Sequence, residues 1–137
     1  MEEFLFPTLP RQELLELSSL ALAHIGDGIY ELMARTHVIR HGGLLANQMH
    51  RKTIELVCAR AQAQAAQLLQ PEFTEEEKAV YLRGRNSKPK TMPKNAAPGD
   101  YAAATGLEAV FGMLYLTGQK ERLCVLFEKI IQQENKN

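Results

Sequence analysis

Apolar residues recur at steps of three and four along nearly the whole chain, which is the spacing of one face of an α-helix. The clearest run covers residues 11–39, and the paired glycines at 42 and 43 favour the end of a helix there. Further helical runs are predicted over 44–70, 100–117 and 119–134. No useful length of chain alternates apolar and polar residues as a half-buried strand would. The pattern predicts an all-α protein.

A short helix and a long loop are predicted between these runs. Pro71 ends the second run, and Thr74 followed by Glu77 has the spacing of a capping box for a helix that reaches about Leu82. Residues 83–99 contain three prolines, two glycines and five basic residues, a composition typical of a loop.

Length and composition predict one globular domain over residues 1–137. The chain is 45% apolar and 23% charged, which argues against disorder, and it is long enough to bury a core without disulfides. Cys58 and Cys124 lie in apolar helical runs and are predicted to be buried thiols. No basic-then-apolar leader opens the chain, and its longest apolar stretch is interrupted by Glu108. We therefore expect a cytoplasmic protein without membrane contact.

The charges balance overall but are segregated along the chain. Sixteen basic residues match sixteen acidic ones, yet residues 78–99 contain no acidic residue. Such a segment is either an ordinary solvated loop or a surface for a polyanion, and its mixture of cationic and amide side chains suits phosphate and sugar contacts. The candidate nucleic-acid-binding residues are Arg83, Arg85, Asn86, Lys88, Lys90, Lys94 and Asn95.

Two carboxylates occupy positions where apolar residues are expected. Asp27 lies between Gly26 and Gly28, and Glu108 lies in a second largely apolar run. Burial of an unpaired carboxylate is unfavourable, so each acid either pairs with a basic residue, binds a hard cation, or reaches solvent along a polar stripe. Two carboxylates with waters and a substrate phosphate are a common way to hold Mg²⁺.

These two segments resemble the acidic motifs of the ribonuclease III family. His24-Ile-Gly-Asp27-Gly-Ile-Tyr-Glu-Leu is similar to its signature helix, and Thr105-Gly-Leu-Glu108-Ala-Val-Phe-Gly-Met-Leu-Tyr-Leu is similar to its second acidic helix. The basic segments that begin at Arg83 and Pro93 resemble the loop of the short mini-ribonuclease III group. The resemblance covers about residues 18–127.

The resemblance implies a helical ribonuclease III-type catalytic fold without an appended double-stranded-RNA-binding domain. It implies a homodimeric, Mg²⁺-dependent endoribonuclease that cuts double-stranded RNA and leaves 5′-phosphate ends. Asp27 and Glu108 would be the catalytic residues and the metal ligands. For the mini group it implies maturation of the 23S ribosomal RNA precursor in the bacterial cytoplasm, with a ribosomal protein as a further candidate partner that presents the substrate.

The acidic set is incomplete, which leaves other functions open. The family has acids at the positions of Leu20 and Ala23, and an aspartate at the position of Thr105. A non-catalytic RNA-binding or ribosome-associated scaffold is therefore the alternative, although a scaffold has no need of Asp27 and Glu108 inside apolar helices. A helical nucleotide phosphohydrolase would carry clustered acids at helical spacing, which this chain lacks.

The signature segment also carries more apolar residues than one face of a small bundle needs. Leu22, Ile25, Ile29 and Met33 are predicted to form a two-fold interface between protomers.

Overall fold

The computed structural model describes residues 4–41, 45–87 and 97–136, and within these ranges it contains helices and no strand. The helices are α1 (Arg11–Leu15), α2 (Ser19–His41), α3 (Ala46–Val57), α4 (Ala59–Leu69), α5 (Glu75–Arg85), α6 (Pro98–Leu116) and α7 (Lys120–Lys136), with a short 3-10 turn at Gln70–Glu72. The predicted all-α class is confirmed.

Three boundaries differ from the predicted ones. The first run divides into α1 and α2, because the Ser18 hydroxyl accepts a hydrogen bond from the Ala21 amide at 3.0 Å and so caps a new helix. The second run divides at Cys58, whose backbone is extended. Helix α5 continues to Arg85, three residues past the predicted end, so the predicted loop at 83–99 starts too early.

Helix α6 is the centre of the fold. Its buried side chains point in every direction around the helix, and a helix that is apolar on all sides is stable only when other helices enclose it. Helices α2, α4 and α5 pack directly around it. The buried residues of its middle turns include Leu107, Ala109, Val110, Phe111, Met113 and Leu114.

Glycines allow the backbones of α2 and α6 to touch. A Cβ added at Gly26 would collide with the carbonyl group of Glu108, and one added at Gly112 would collide with the carbonyl group of Leu22. These two contacts lock the crossing point of the helices and their relative rotation.

A buried ion pair attaches α5 to α7. The Glu77 side chain is almost fully buried, and Arg122 donates to its two carboxylate oxygens at 2.8 and 2.9 Å. The predicted capping box is present, with Thr74 and Glu77 exchanging two hydrogen bonds. Burial raises the pKa of Glu77, but the hydrogen bonds from Arg122 and Thr74 outweigh it and hold the pKa below its usual range.

The expectation that both cysteines are buried is wrong. Cys58 is exposed at the corner between α3 and α4, and Cys124 is exposed on the side of α7 that lines an open groove with α2. Leu22 lies in the core, whereas Ile25, Ile29 and Met33 keep part of their surface exposed, so the interface predicted through these four residues stays a prediction.

Among the described helices, none has a stretch that is both long and apolar enough to cross a bilayer.

Replacement of Gly26 by alanine is expected to destabilise the protein, because α2 must move away from α6 to admit the methyl group. Overpacking of this kind costs about 1–3 kcal/mol or more. Gly28 is the matched control: nothing lies within 4 Å of an added Cβ, so Gly28→Ala should stabilise by about 0.5–1 kcal/mol through helix propensity. Urea unfolding of both variants measures the difference. Equal stabilities would contradict the backbone contact.

Candidate active site

The helix crossing brings the two sequence-predicted carboxylates together. Gly26 rests on the backbone of Glu108, so the next residue of α2, Asp27, lies beside the Glu108 side chain. The two carboxyl groups are close enough to repel each other and to share a hydrogen bond. Asp27 is exposed and Glu108 is partly buried, so the pair has one face to solvent and one to the protein.

The pair is poorly compensated within the protein. Burial, the charge of Asp27 and the hydrogen bond to Asp27 together raise the pKa of Glu108 to about 8, and the Gln62 side chain opposes this only in part. None of the ion pairs between described residues includes Asp27 or Glu108. Of the three arrangements that the sequence left open, the ion pair with a basic residue is therefore absent from the described part of the chain.

The donor set fits a divalent cation. Two adjacent carboxylates that repel each other can bind a proton or a metal ion between them, and carboxylate oxygen is a ligand that Mg²⁺ prefers. The described residues contain no group of three or more histidine, cysteine, aspartate or glutamate side chains able to hold a metal. The protein would therefore supply two carboxylates, with water or substrate completing the coordination.

The three residues that stand where the family has further acids are uncharged and differ in their surroundings. Ala23 is buried against the core, and Leu20 is exposed on the first turn of α2. The Thr105 hydroxyl is buried and donates to the Tyr101 carbonyl at 3.0 Å. These residues add no charge near the pair.

A cavity of about 420 Å³ adjoins Glu108 between α4 and the first turns of α6. Arg60 and Gln62 reach it from α4, and neither was singled out from the sequence. A signal for Gln62 was present, since it lies three and seven residues before Ala65 and Leu69, which are buried on the same helix face. A glutamine at such a core position needs a polar partner.

The basic end of α5 lies alongside the same part of α6. An added Cβ at Gly84 would lie 2.9 Å from the Cα of Gly106 and 3.2 Å from the Thr105 carbonyl oxygen. Arg83, Arg85 and Asn86 are exposed next to this contact, and Arg83 lines a groove with α1 and α2 rather than the cavity that Glu108 lines. The other candidate nucleic-acid-binding residues, Lys88, Lys90, Lys94 and Asn95, lie outside the described residues.

The metal-free protein is expected to lose stability as pH rises from about 5 to about 8. The unfolded chain releases the Glu108 proton near pH 4.5, whereas the folded protein keeps it to about pH 8. The folded state then binds more protons in this window, and its free energy of unfolding falls with pH. Urea unfolding in EDTA measures the fall, and Glu108→Gln isolates it because that variant cannot titrate. Equal pH dependence in both proteins would contradict the raised pKa.

Comparison with known proteins identifies the fold. The ribonuclease III domain family matches residues 20–119. The chain is 40% identical over 142 residues to Mini-ribonuclease 3 of Clostridium tetani, covering 98% of this chain and 94% of that protein. It is 46% identical over 109 residues to Mini-ribonuclease 3 of Symbiobacterium thermophilum, covering 80% and 84%. The crystal structure of protein FN1578 from Fusobacterium nucleatum superposes with a TM-score of 0.80 at 28% identity, covering 89% of this chain and 98% of that one.

These similarities agree with the helical architecture and with both acidic motifs, since the matched residues include Asp27 and Glu108. The extent of the matches, over most of both chains, also favours an enzyme over the non-catalytic scaffold. The chain belongs to the ribonuclease III family and is an endoribonuclease that acts on double-stranded RNA.

Proposed function

We propose that Asp27 and Glu108 are the catalytic residues of a Mg²⁺-dependent cleavage of double-stranded RNA that leaves 5′-phosphate ends. The observation that carries this proposal is the closeness of the two carboxyl groups: burial of Glu108 and the charge of Asp27 raise the pKa of Glu108 to about 8. A carboxyl group with a strongly raised pKa, such as Glu108, beside a cavity open to solvent is typical of functional sites.

Each residue has a distinct part in this proposal. Asp27 is exposed and faces the side from which a phosphate must approach, while Glu108 is partly buried and has fewer conformations open to it. Together they would hold the metal ion. When bound, the ion lowers the pKa of a water and offsets the negative charge that develops on the phosphate. Thr105 is neutral, and its hydroxyl is hydrogen-bonded to the Tyr101 carbonyl. Asp27 and Glu108 are therefore the two charged ligands that we assign to the ion.

Asp27→Asn is expected to abolish cleavage of a long RNA duplex in Mg²⁺ while the protein remains folded. The change removes the charge with almost no change in volume at an exposed position. Glu108→Gln should lower the rate by a similar factor, on the order of 10² or more, because one ligand of the ion is lost. Gel assays of cleavage with and without Mg²⁺ measure both.

Glu128→Gln, on the exposed side of α7, is the control with the same loss of charge and should cleave at the wild-type rate. Cleavage by Asp27→Asn at the wild-type rate would remove Asp27 from the site.

We propose further that the basic end of α5 and the segment after it bind RNA phosphates. Arg83 and Arg85 are exposed on either side of Gly84, which packs on α6 at Gly106, and the Arg85 guanidinium lies 5.8 Å from the centre of the Tyr81 ring. An A-form duplex offers little base information in its accessible groove, so phosphate and 2′-hydroxyl contacts should dominate recognition.

Arg83→Ala combined with Arg85→Ala should weaken duplex binding and flatten its salt dependence. Loss of two phosphate contacts should reduce the slope of log K against log salt by roughly 1–2 units. The measurement is a salt titration of binding on the Asp27→Asn background, where cleavage does not interfere. Lys120→Ala combined with Lys136→Ala removes the same charge from α7 and is the control. An unchanged slope would place the RNA instead along Arg35, Arg40, Arg51 and Lys52.

A homodimer is also proposed. Ile25, Ile29 and Met33 keep part of their surface exposed on α2, although Leu22 is buried. Leu15 and Leu17 line an open groove of about 460 Å³ between α1, α2 and α5. Exposed apolar residues grouped in this way favour contact with a second copy. Sedimentation at micromolar concentration should give about twice the chain mass of 15.4 kDa, and the monomer mass would contradict the dimer.

We propose the 23S ribosomal RNA precursor as the substrate, in the bacterial cytoplasm, with a ribosomal protein that presents it. The support is the resemblance to the short group of the family in both acidic motifs and in the basic segment between them. The purified protein should cut the paired ends of a 23S precursor in preference to an unrelated duplex of equal length. Equal rates on both would contradict this substrate.

A further inference from the structure

The cavity between α4 and α6 has the chemistry of a ligand site. Its volume of about 420 Å³ is within the range of about 300–1,000 Å³ that is usual for such sites. Most of its wall is apolar, and charged side chains reach it at three points: Arg60 from α4, and Asp100 and Glu108 from α6. An apolar wall with a few polar groups placed around it is the common composition of a ligand site.

Arg60 and Asp100 bring opposite charges to this cavity without pairing. Arg60 is the second residue of α4 and is exposed, and Asp100 is the third residue of α6 and is half-buried. None of the ion pairs between described residues includes either side chain. Both charges are therefore available to a ligand that carries a negative group and a hydrogen-bond donor.

The position of Asp100 on α6 shows which part of a substrate it can reach. Asp100 precedes Glu108 by eight residues, which is about 12 Å along a helix that rises 1.5 Å per residue. At that separation the two carboxylates do not share one metal ion. A substrate group at Asp100 is therefore close to the atoms on which Glu108 acts, but is not one of them.

We propose that this cavity binds one nucleotide of the RNA strand beside the bond that is cut. Arg60 donates hydrogen bonds to the phosphate of that nucleotide, and Asp100 accepts one from its ribose 2′-hydroxyl. This rests on the proposed role of Glu108 at the cleaved bond, which lines the same cavity.

The two side chains match the two groups that an RNA strand presents. The substrate is double-stranded RNA, which displays phosphates and 2′-hydroxyls in its wide, shallow groove. A guanidinium suits a phosphate, whereas an ionised carboxylate only accepts hydrogen bonds and so needs a donor, which the 2′-hydroxyl provides. Because the 2′-hydroxyl distinguishes RNA from DNA, Asp100 selects RNA at this nucleotide.

A scan of 2′-deoxynucleotides tests the contact of Asp100. Single deoxy substitutions are placed in turn on either side of the cleaved bond of an RNA duplex, and kcat/KM is measured in Mg²⁺. The wild type should lose about 10–100-fold at one position, the usual effect of removing a hydrogen bond to a charged group. No sensitive position in the wild type would overturn the inference.

Asp100→Ala should lose the same factor on the all-RNA duplex and nothing further on the sensitive deoxy duplex. The two changes remove one hydrogen bond, so their effects should not add. Additive losses would overturn the inference and would leave Asp100 as an acid that only stabilises the first turn of α6. Glu121→Ala removes an exposed acid from the first turn of α7 and is the matched control, which should keep the wild-type sensitivity to deoxy substitution.

Asp100→Asn covers the case in which the alanine variant does not fold. Asparagine keeps an acceptor oxygen without the charge, so its loss at the sensitive position should be smaller than in the wild type. A loss equal to that of the wild type in folded Asp100→Asn would overturn the inference. Loss of folding in both variants would assign Asp100 to the start of α6 alone, and would also overturn it.

Arg60→Met tests the phosphate contact in the Asp27→Asn background, where RNA is bound but not cut. The slope of log K against log salt should fall by about 1, and Arg60→Lys should restore it because the charge returns. Lys120→Met removes a cation outside the cavity and should leave the slope unchanged. An unchanged slope in Arg60→Met would overturn the phosphate contact.

The cleavage rates of Asp27→Asn and Glu108→Gln separate failure of this inference from failure of the proposed site. If both variants lose cleavage while the Asp100 and deoxy effects add, the catalytic site stands and the nucleotide site is overturned. If both variants cut at the wild-type rate, the proposed catalytic site fails, and with it the inference.

Discussion

The backbone contact between α2 and α6 is the constraint on which the rest of the structure depends. Gly26 and Gly112 place the backbone of each helix against a carbonyl group of the other, at a separation that no side chain could permit. Because the backbones touch, the contact also fixes which side chains on the two helices are neighbours. Asp27 must lie at Glu108, and the repulsion between the two acids follows from the packing of apolar helices.

Two partly or fully buried glutamates show how differently the fold treats the same side chain. Glu77 receives two hydrogen bonds from Arg122 and one from the Thr74 amide, so its negative charge is compensated and its pKa lies below the usual range. Glu108 has a second acid as its neighbour, and its pKa is raised to about 8. The first arrangement holds helices α5 and α7 together. The second leaves the negative charge of Glu108 without a basic partner among the described residues.

Much of the helical framework could be predicted from the chain, because helical periodicity and capping depend on residues only three or four apart. The capping box at Thr74 and Glu77 is an example, and so is the break at Pro71. The division at Cys58 could not be predicted in this way. The Gln62 amide nitrogen donates to the Val57 carbonyl across this corner, a contact that helical spacing does not predict.

The sequence by itself determined the all-α class, the resemblance to the ribonuclease III family and the two acids to examine, since each of these is written in local spacing. The tertiary structure alone decided that Asp27 lies beside Glu108, that the end of α5 packs on α6 at Gly84, and that Gln62 lines the same cavity as Glu108. Periodicity shows which face of a helix is apolar. It carries no information on which turns of two distant helices meet, because that depends on how closely their backbones can approach.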